Sequence, residues 1–307
     1  MKKLLKIISV NIIVIFIVSI LTEAGLLYFD YKRINKDSFK KDEIYTFKNH
    51  FNAYKEHFKN PSYLWMNEFR PPAGLEYKDK PSVILLGCSY TYGFKLKNED
   101  SFHSVLSNTM KRTVYNLSIV AASPREMLYV LRNQKILNEL LKENDNNNVE
   151  YVIYTYMQGH KSRLLADIYK RSPKFKKINN GNNLEYVDAS PIENLYLYRK
   201  FKIFLASKTF LSDKTFDLLC LYFREIKREI DKLFSNQGKP VKFILLVYEE
   251  YNNDWERLEK DGITVIKLNE ILDVNIKDTE YQISKTDCHP NEKAWQIIVP
   301  ALAEKLR

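Results

Sequence analysis

Apolar positions fall along this chain in three distinct patterns. From Ile7 to Leu21, and again from Ala24 to Phe29 after Thr22 and Glu23, they are nearly continuous. Further on come short dense runs at residues 82–86, 113–117, 151–156, 241–247 and 263–268, the first bounded by Pro81 and Gly87. Runs of that length without polar alternation predict strands buried on both faces of a parallel sheet. Between them the apolar residues take helical spacing. Phe102, Val105 and Leu106 predict a helix over 99–111, and a helix over about 124–142 opens with Ser123 as N-cap and Pro124 in its first position. Two more helices are predicted over about 214–234 and about 291–305.

Repeated strand–helix units of this kind predict an α/β domain, a parallel sheet with helices on both sides. The rhythm breaks over about 161–212. That insertion holds Asn179-Asn180-Gly181-Asn182-Asn183, a hairpin-turn signal, and the aromatic residues Tyr196, Tyr198, Phe201 and Phe204. Both a lid or partner surface and a packed structural excursion fit it. The chain therefore divides into residues 1–30, residues 31–80 as a stalk leading to the domain, and a domain over 81–307.

The first segment begins Met1-Lys2-Lys3-Leu4-Leu5-Lys6 and then turns apolar. About 20 residues at a rise of about 1.5 Å match the thickness of a hydrocarbon core. No small-x-small cleavage site follows, which favours a retained single-pass transmembrane helix, a signal-anchor, over a removed signal peptide. Lys32, Arg33, Lys36, Lys40 and Lys41 follow the run and Lys2, Lys3 and Lys6 precede it, so charge does not decide the orientation. Residues 1–41 carry a net +5, half of the chain's +10. That basicity points to lipid headgroups rather than nucleic acid, for which no zinc spacing, RNA-binding aromatic signature or basic recognition helix is present. Three cysteines, Cys88, Cys220 and Cys288, are too few for a disulfide-built scaffold.

Chemistry-bearing residues gather where the strands end. In an open α/β sheet ligands bind outside the carboxyl ends of the strands. Ser89 follows the first strand in Leu86-Gly87-Cys88-Ser89-Tyr90-Thr91-Tyr92-Gly93, Ser118 and Ala121 follow the second, and His160 follows the third. Asp287 and His289 stand in a loop before the last helix, in Asp287-Cys288-His289-Pro290-Asn291. A serine hydroxyl becomes a nucleophile beside a base, and an imidazole held by a carboxylate is such a base. Taken alone, a serine in a strand-to-helix turn also reads as an N-cap, and His160 as the partner of a buried carbonyl. His50, His57 and His103 have no partner pattern and read as surface or stalk residues; Tyr90 and Tyr92 read as packing and rim residues.

These blocks resemble those of the SGNH/GDSL-type serine hydrolases, in the branch with an N-terminal membrane anchor, over about residues 81–305. The first block, Gly-Asp-Ser-x-Thr-x-Gly, is met by Gly87 to Gly93 with Cys88 in place of aspartate. The closing block is met by Asp287 to Asn291, with one residue between Asp and His instead of two. The second block, Asn-x-Gly-x-x-Gly, falls on Asn116 to Ala121, with Ser118 and Ala121 in place of its glycines. The third places Gly159-His160 where the family offers an asparagine.

The resemblance implies a flavodoxin-like three-layer α/β fold with a central parallel five-stranded sheet. It also implies a membrane-anchored serine esterase with the triad Ser89, His289 and Asp287 and an oxyanion hole of the Ser89 and Ala121 N–H groups with His160. The substrate class it implies is an O-acetyl or other small acyl ester on an envelope carbohydrate, met by an extracytoplasmic domain. A non-catalytic glycan-binding or scaffolding domain, a polysaccharide O-acyltransferase and a lipid esterase use the same residues and remain open. No metal or organic cofactor is implied, and no protein partner is specified. Because Cys88 and Cys288 each neighbour a triad member, two readings stay open for them: two small buried thiols, which is the favoured one, and a disulfide across the active-site edge.

Overall fold

The computed structural model describes residues 69–120, 122–133, 137–138, 141, 148–165, 174–178, 183–187, 213–248 and 254–307. The expected membrane helix, most of the stalk and much of the 161–212 insertion lie outside the described residues. Among the described residues no helix is long and apolar enough to cross a membrane.

Five short strands form the central sheet: β1 (Ser82–Leu86), β2 (Val114–Asn116), β3 (Val149–Tyr156), β6 (Lys242–Val247) and β7 (Thr264–Lys267). Their order is β2-β1-β3-β6-β7 and every pairing is parallel. The chain enters at β1, steps outward to β2, then crosses back to β3, so the winding reverses between β1 and β3. Connections on either side of such a reversal leave in opposite directions and open a crevice above the strand ends.

Alternate side chains of each strand point to opposite faces, and both faces are covered. Val83 and Leu85 of β1 lie with Ile153, Ile244 and Leu246 against α2 (Phe102–Met110) and the C-terminal helix α8 (Glu292–Leu306). There the Trp295 ring stacks on Phe102 with centroids 4.4 Å apart. Ile84 and Leu86 lie with Tyr115, Tyr154 and Leu245 against α3 (Pro124–Arg132) and the long helix α5 (Asp213–Leu233). Burial on both sides is why these strands read as unbroken apolar runs.

Two expectations change at this level. The helix expected to reach residue 142 stops at Arg132, because Asn133 adopts φ −93° and ψ 88°, outside the helical region; Leu137 N–H donates to the Asn133 carbonyl beyond it. Its start is as expected, with the Ser123 hydroxyl accepting from Arg125 N–H and the Glu126 carboxylate accepting from Ser123 N–H, a capping box. The turn signal at 179–183 separates an antiparallel pair, β4 (Lys174–Ile178) and β5 (Asn183–Val187). Finally, the segment before the last helix is no loop: β8 (Gln282–Ser284) and β9 (Asp287–Pro290) pair as an antiparallel ribbon. Asn291 ties that ribbon to α8, accepting from Ala294 N–H as N-cap while its amide donates to the Glu280 and Gln282 carbonyls.

Candidate active site

Gly87 ends β1 with φ +153°, and a Cβ there would fall 2.2 Å from the Thr91 hydroxyl. This glycine lets the chain turn directly into the one-turn helix α1 (Ser89–Tyr92), and as the helix's first residue Ser89 has no carbonyl a turn earlier to receive its N–H. A side-chain hydrogen bond from β2 ties α1 to the sheet. The buried Asn116 amide donates to the Thr91 carbonyl at 3.0 Å, and its Oδ1 accepts Ser118 N–H at 3.1 Å. Gly93, at φ +77°, closes the helix and lets Phe94 N–H bond the Ser89 carbonyl.

Opposite α1 stands β9. Residues two apart on a strand share a face, so Asp287 and His289 present their side chains together although only Cys288 separates them. His289 Nε2 lies 2.7 Å from Ser89 Oγ and its Nδ1 2.5 Å from Asp287 Oδ1, which also accepts His289 N–H at 3.2 Å. With Nδ1–H donating to the carboxylate, Nε2 presents its lone pair to the serine hydroxyl. The imidazole is flanked by the rings of Tyr90 and Phe94, at 5.1 and 5.2 Å. Burial opposes the charge on Asp287, but the hydrogen bonds from His289 and from Lys95 Nζ, 3.0 Å from Oδ2, outweigh it and hold the carboxyl below its ordinary range.

Sequence reasoning missed Lys95 and its support. Lys95 has φ +64°, one of two non-glycine residues at positive φ among those described. Arg70 fastens the surrounding loop, donating to the Gly93 carbonyl at 2.7 Å, the Leu96 carbonyl at 2.9 Å and Asn98 Oδ1 at 3.1 Å. No spacing signal marks either residue, because their partners are backbone carbonyls and a carboxylate about 190 positions away.

His103, expected at the surface or in the stalk, is fully buried. Ser101 Oγ donates to the Asn98 carbonyl and lies 2.7 Å from His103 Nδ1, so the ring donates through that nitrogen. Burial, then the Arg70 charge, push its pKa down to about 4, against the opposing pull of the Pro71 carbonyl.

His160 is also fully buried, and no hydrogen bond joins it to Ser89 or His289. Its ring packs edge-on to Tyr154 and Tyr156, and Nδ1 lies 3.1 Å from the Tyr154 hydroxyl and 3.5 Å from Met157 N–H. Burial and the neighbouring Arg163 charge hold its pKa well below the ordinary value, so the ring is neutral with its proton on Nε2, which has no partner. Ala121 lies outside the described residues. Of the two readings of Cys88 and Cys288, the disulfide is absent: both thiols are free, Cys88 buried in the core but Cys288 exposed rather than buried, with its sulfur accepting the Tyr90 hydroxyl at 3.2 Å. Among the described residues no group of three or more His, Cys, Asp or Glu side chains is placed to hold a metal ion.

No protein-family model and no curated protein matches the chain. Among solved structures it is similar to a protein assigned to the G-D-S-L lipolytic family from Desulfitobacterium hafniense, at 14% identity and TM-score 0.40 over 73% of this chain and 99% of that one. It is similar to a lipase from a goat rumen metagenome, at 13% identity and TM-score 0.43 over 73% and 97%. An acetyl xylan esterase from the rumen bacterium Butyrivibrio proteoclasticus is similar at 11% identity and TM-score 0.40 over 74% of this chain and 64% of that one.

Proposed function

We propose that this protein is a serine ester hydrolase of the SGNH/GDSL kind, with Ser89 as nucleophile, His289 as general base and Asp287 as the group that orients the imidazole. The single observation that carries the reading is the continuous chain Ser89 Oγ–His289 Nε2 at 2.7 Å and His289 Nδ1–Asp287 Oδ1 at 2.5 Å, assembled from two elements 200 residues apart. In this reading Ser89 Oγ attacks the ester carbonyl while its proton passes to Nε2. The C–O bond then breaks and the departing alcohol takes that proton. A water, deprotonated by the same nitrogen, releases the acid and restores Ser89. Ser89 N–H, Ala121 N–H and His160 Nε2–H are the proposed donors to the oxyanion.

By the same reading the substrate is a small acyl ester, an O-acetyl group on an envelope carbohydrate. The domain works outside the cytoplasm, held by residues 1–30 as a membrane anchor. The family resemblance of the Ser89 and His289 blocks supports the substrate class, and the lysine-led apolar segment supports the anchor. Transfer to a polysaccharide hydroxyl uses the same acyl-serine and differs only in the acceptor. The departures from the family blocks at Cys88, Ser118, Ala121 and His160 favour a second reading, a non-catalytic glycan-binding domain on the same fold.

Fluorophosphonate labelling separates the two. Wild-type protein is expected to label at Ser89, and Ser89→Ala and His289→Ala are expected to abolish labelling without loss of fold. A folded wild-type protein that does not label sinks the hydrolase reading.

A further inference from the structure

We propose that Lys95, seated by Arg70, is a positioning residue that fixes the Asp287–His289 pair relative to Ser89; the inference rests on the reading of these three residues as a triad. The hydrogen bonds of His289 N–H and Nδ1 to Asp287 Oδ1 lie within four residues of one strand, so they fix the carboxylate and imidazole to each other and not to the serine. The strand itself belongs to a two-stranded ribbon of three and four residues, a structure with little stability of its own. Registration against Ser89 must come from contacts that cross to the other element.

Those contacts come from residues 89–95. Lys95 Nζ reaches Asp287 Oδ2, the oxygen His289 leaves unused, and Phe94 and Tyr90 bracket the imidazole. Lys95 occupies the left-handed region at φ +64°, which is unfavourable for a non-glycine residue and persists only where neighbours dictate the backbone. Arg70 supplies that dictation. Its guanidinium takes the carbonyls of Gly93 and Leu96, on either side of Phe94 and Lys95, and the Asn98 side chain beyond them, while lying 4.9 Å from the Tyr92 ring centroid. Lys95 is itself 40% exposed, so the pair adds little to stability. What it supplies is geometry: one ammonium on the outer carboxylate oxygen stops Asp287 rotating away from His289.

Lys95→Met and Lys95→Arg test this in the full-length protein, with folding checked by circular dichroism. Two readouts are taken: the rate of fluorophosphonate labelling at Ser89, and the far-downfield proton NMR signal of a hydrogen-bonded His289 Nδ1–H, which needs no turnover. A small displacement at a reacting centre is costly, so Lys95→Met is expected to slow labelling by about tenfold or more and to broaden or remove the downfield signal. Lys95→Arg is expected to restore both. Arg70→Ala is expected to reproduce the Lys95→Met result and to recover in guanidinium. Labelling and signal unchanged in Lys95→Met overturn the proposal. A wild type that never labels but whose downfield signal depends on Lys95 supports the positioning role while removing the hydrolase reading. A wild type with no such signal overturns the proposal whether or not it labels.

Discussion

Acidification should weaken this fold through His103. In the folded protein burial and the Arg70 charge push the ring's pKa to about 4, against 6.5 for the free side chain. The unfolded chain therefore takes up a proton that the folded one refuses. The sign follows directly: the contribution is fully present above about pH 6.5, is lost progressively as pH falls towards 4, and is gone below that. A difference of this size is worth roughly 3 kcal/mol, a large part of a typical domain's net stability. His160 is depressed by the same burial and acts in the same direction, so the wild-type slope alone does not isolate His103. His103→Gln does, because it removes one titration and leaves the other. The assay is urea denaturation of the full-length protein in mild detergent, wild type and variant, at steps from neutral pH to about pH 4. The variant is expected to start less stable, because it lacks the bond to Ser101, and the two curves should converge as pH falls. Curves that run parallel across the window would refute the reasoning.

Two further outcomes follow from single contacts. Asn291→Ala removes the N-cap of α8, worth about 1 kcal/mol, and also both amide bonds, to the Glu280 carbonyl and to the Gln282 carbonyl of β8. Thermal denaturation should register that loss, and fluorophosphonate labelling should slow more than the small change in stability explains, since β9 carries Asp287 and His289. Iodoacetamide applied to native protein should modify Cys288 and spare Cys88 and Cys220, both fully buried, the latter with its thiol pushed up to about 11 by burial. A Cys88–Cys288 cross-link in unreduced peptides would contradict the structure.

How much of the site was legible depended on where each residue's partner lies. Ser89 could be read because its turn is local: Gly87, Cys88 and Gly93 dictate a strand, a corner and a short helix within eight residues. Asp287 and His289 could be read as a pair, but their strand could not. Three or four residues carry too little periodicity to announce a ribbon, and a spacing of two becomes meaningful only once the backbone is known to be extended. His103 was misread because its partners, Ser101, Ser104 and the Arg70 charge, make no pattern in a helix-spaced segment. His160 was read correctly as the residue after β3, but its burial against Tyr154 depends on how α4 (Gly159–Leu165) packs back on the sheet.

The order of strands and helices and the two-sided burial of the sheet are therefore properties of the sequence by itself, because hydrophobic periodicity and capping act over a few residues. The strand order β2-β1-β3-β6-β7, the crevice at its reversal and the meeting of Ser89 with His289 were decided only by tertiary structure. So were the Lys95 and Arg70 contacts and the placing of Cys88 in the core and Cys288 at the surface. The physical reason is range. A contact between residues 200 positions apart leaves no local trace in composition or spacing, and its geometry follows from packing the whole domain.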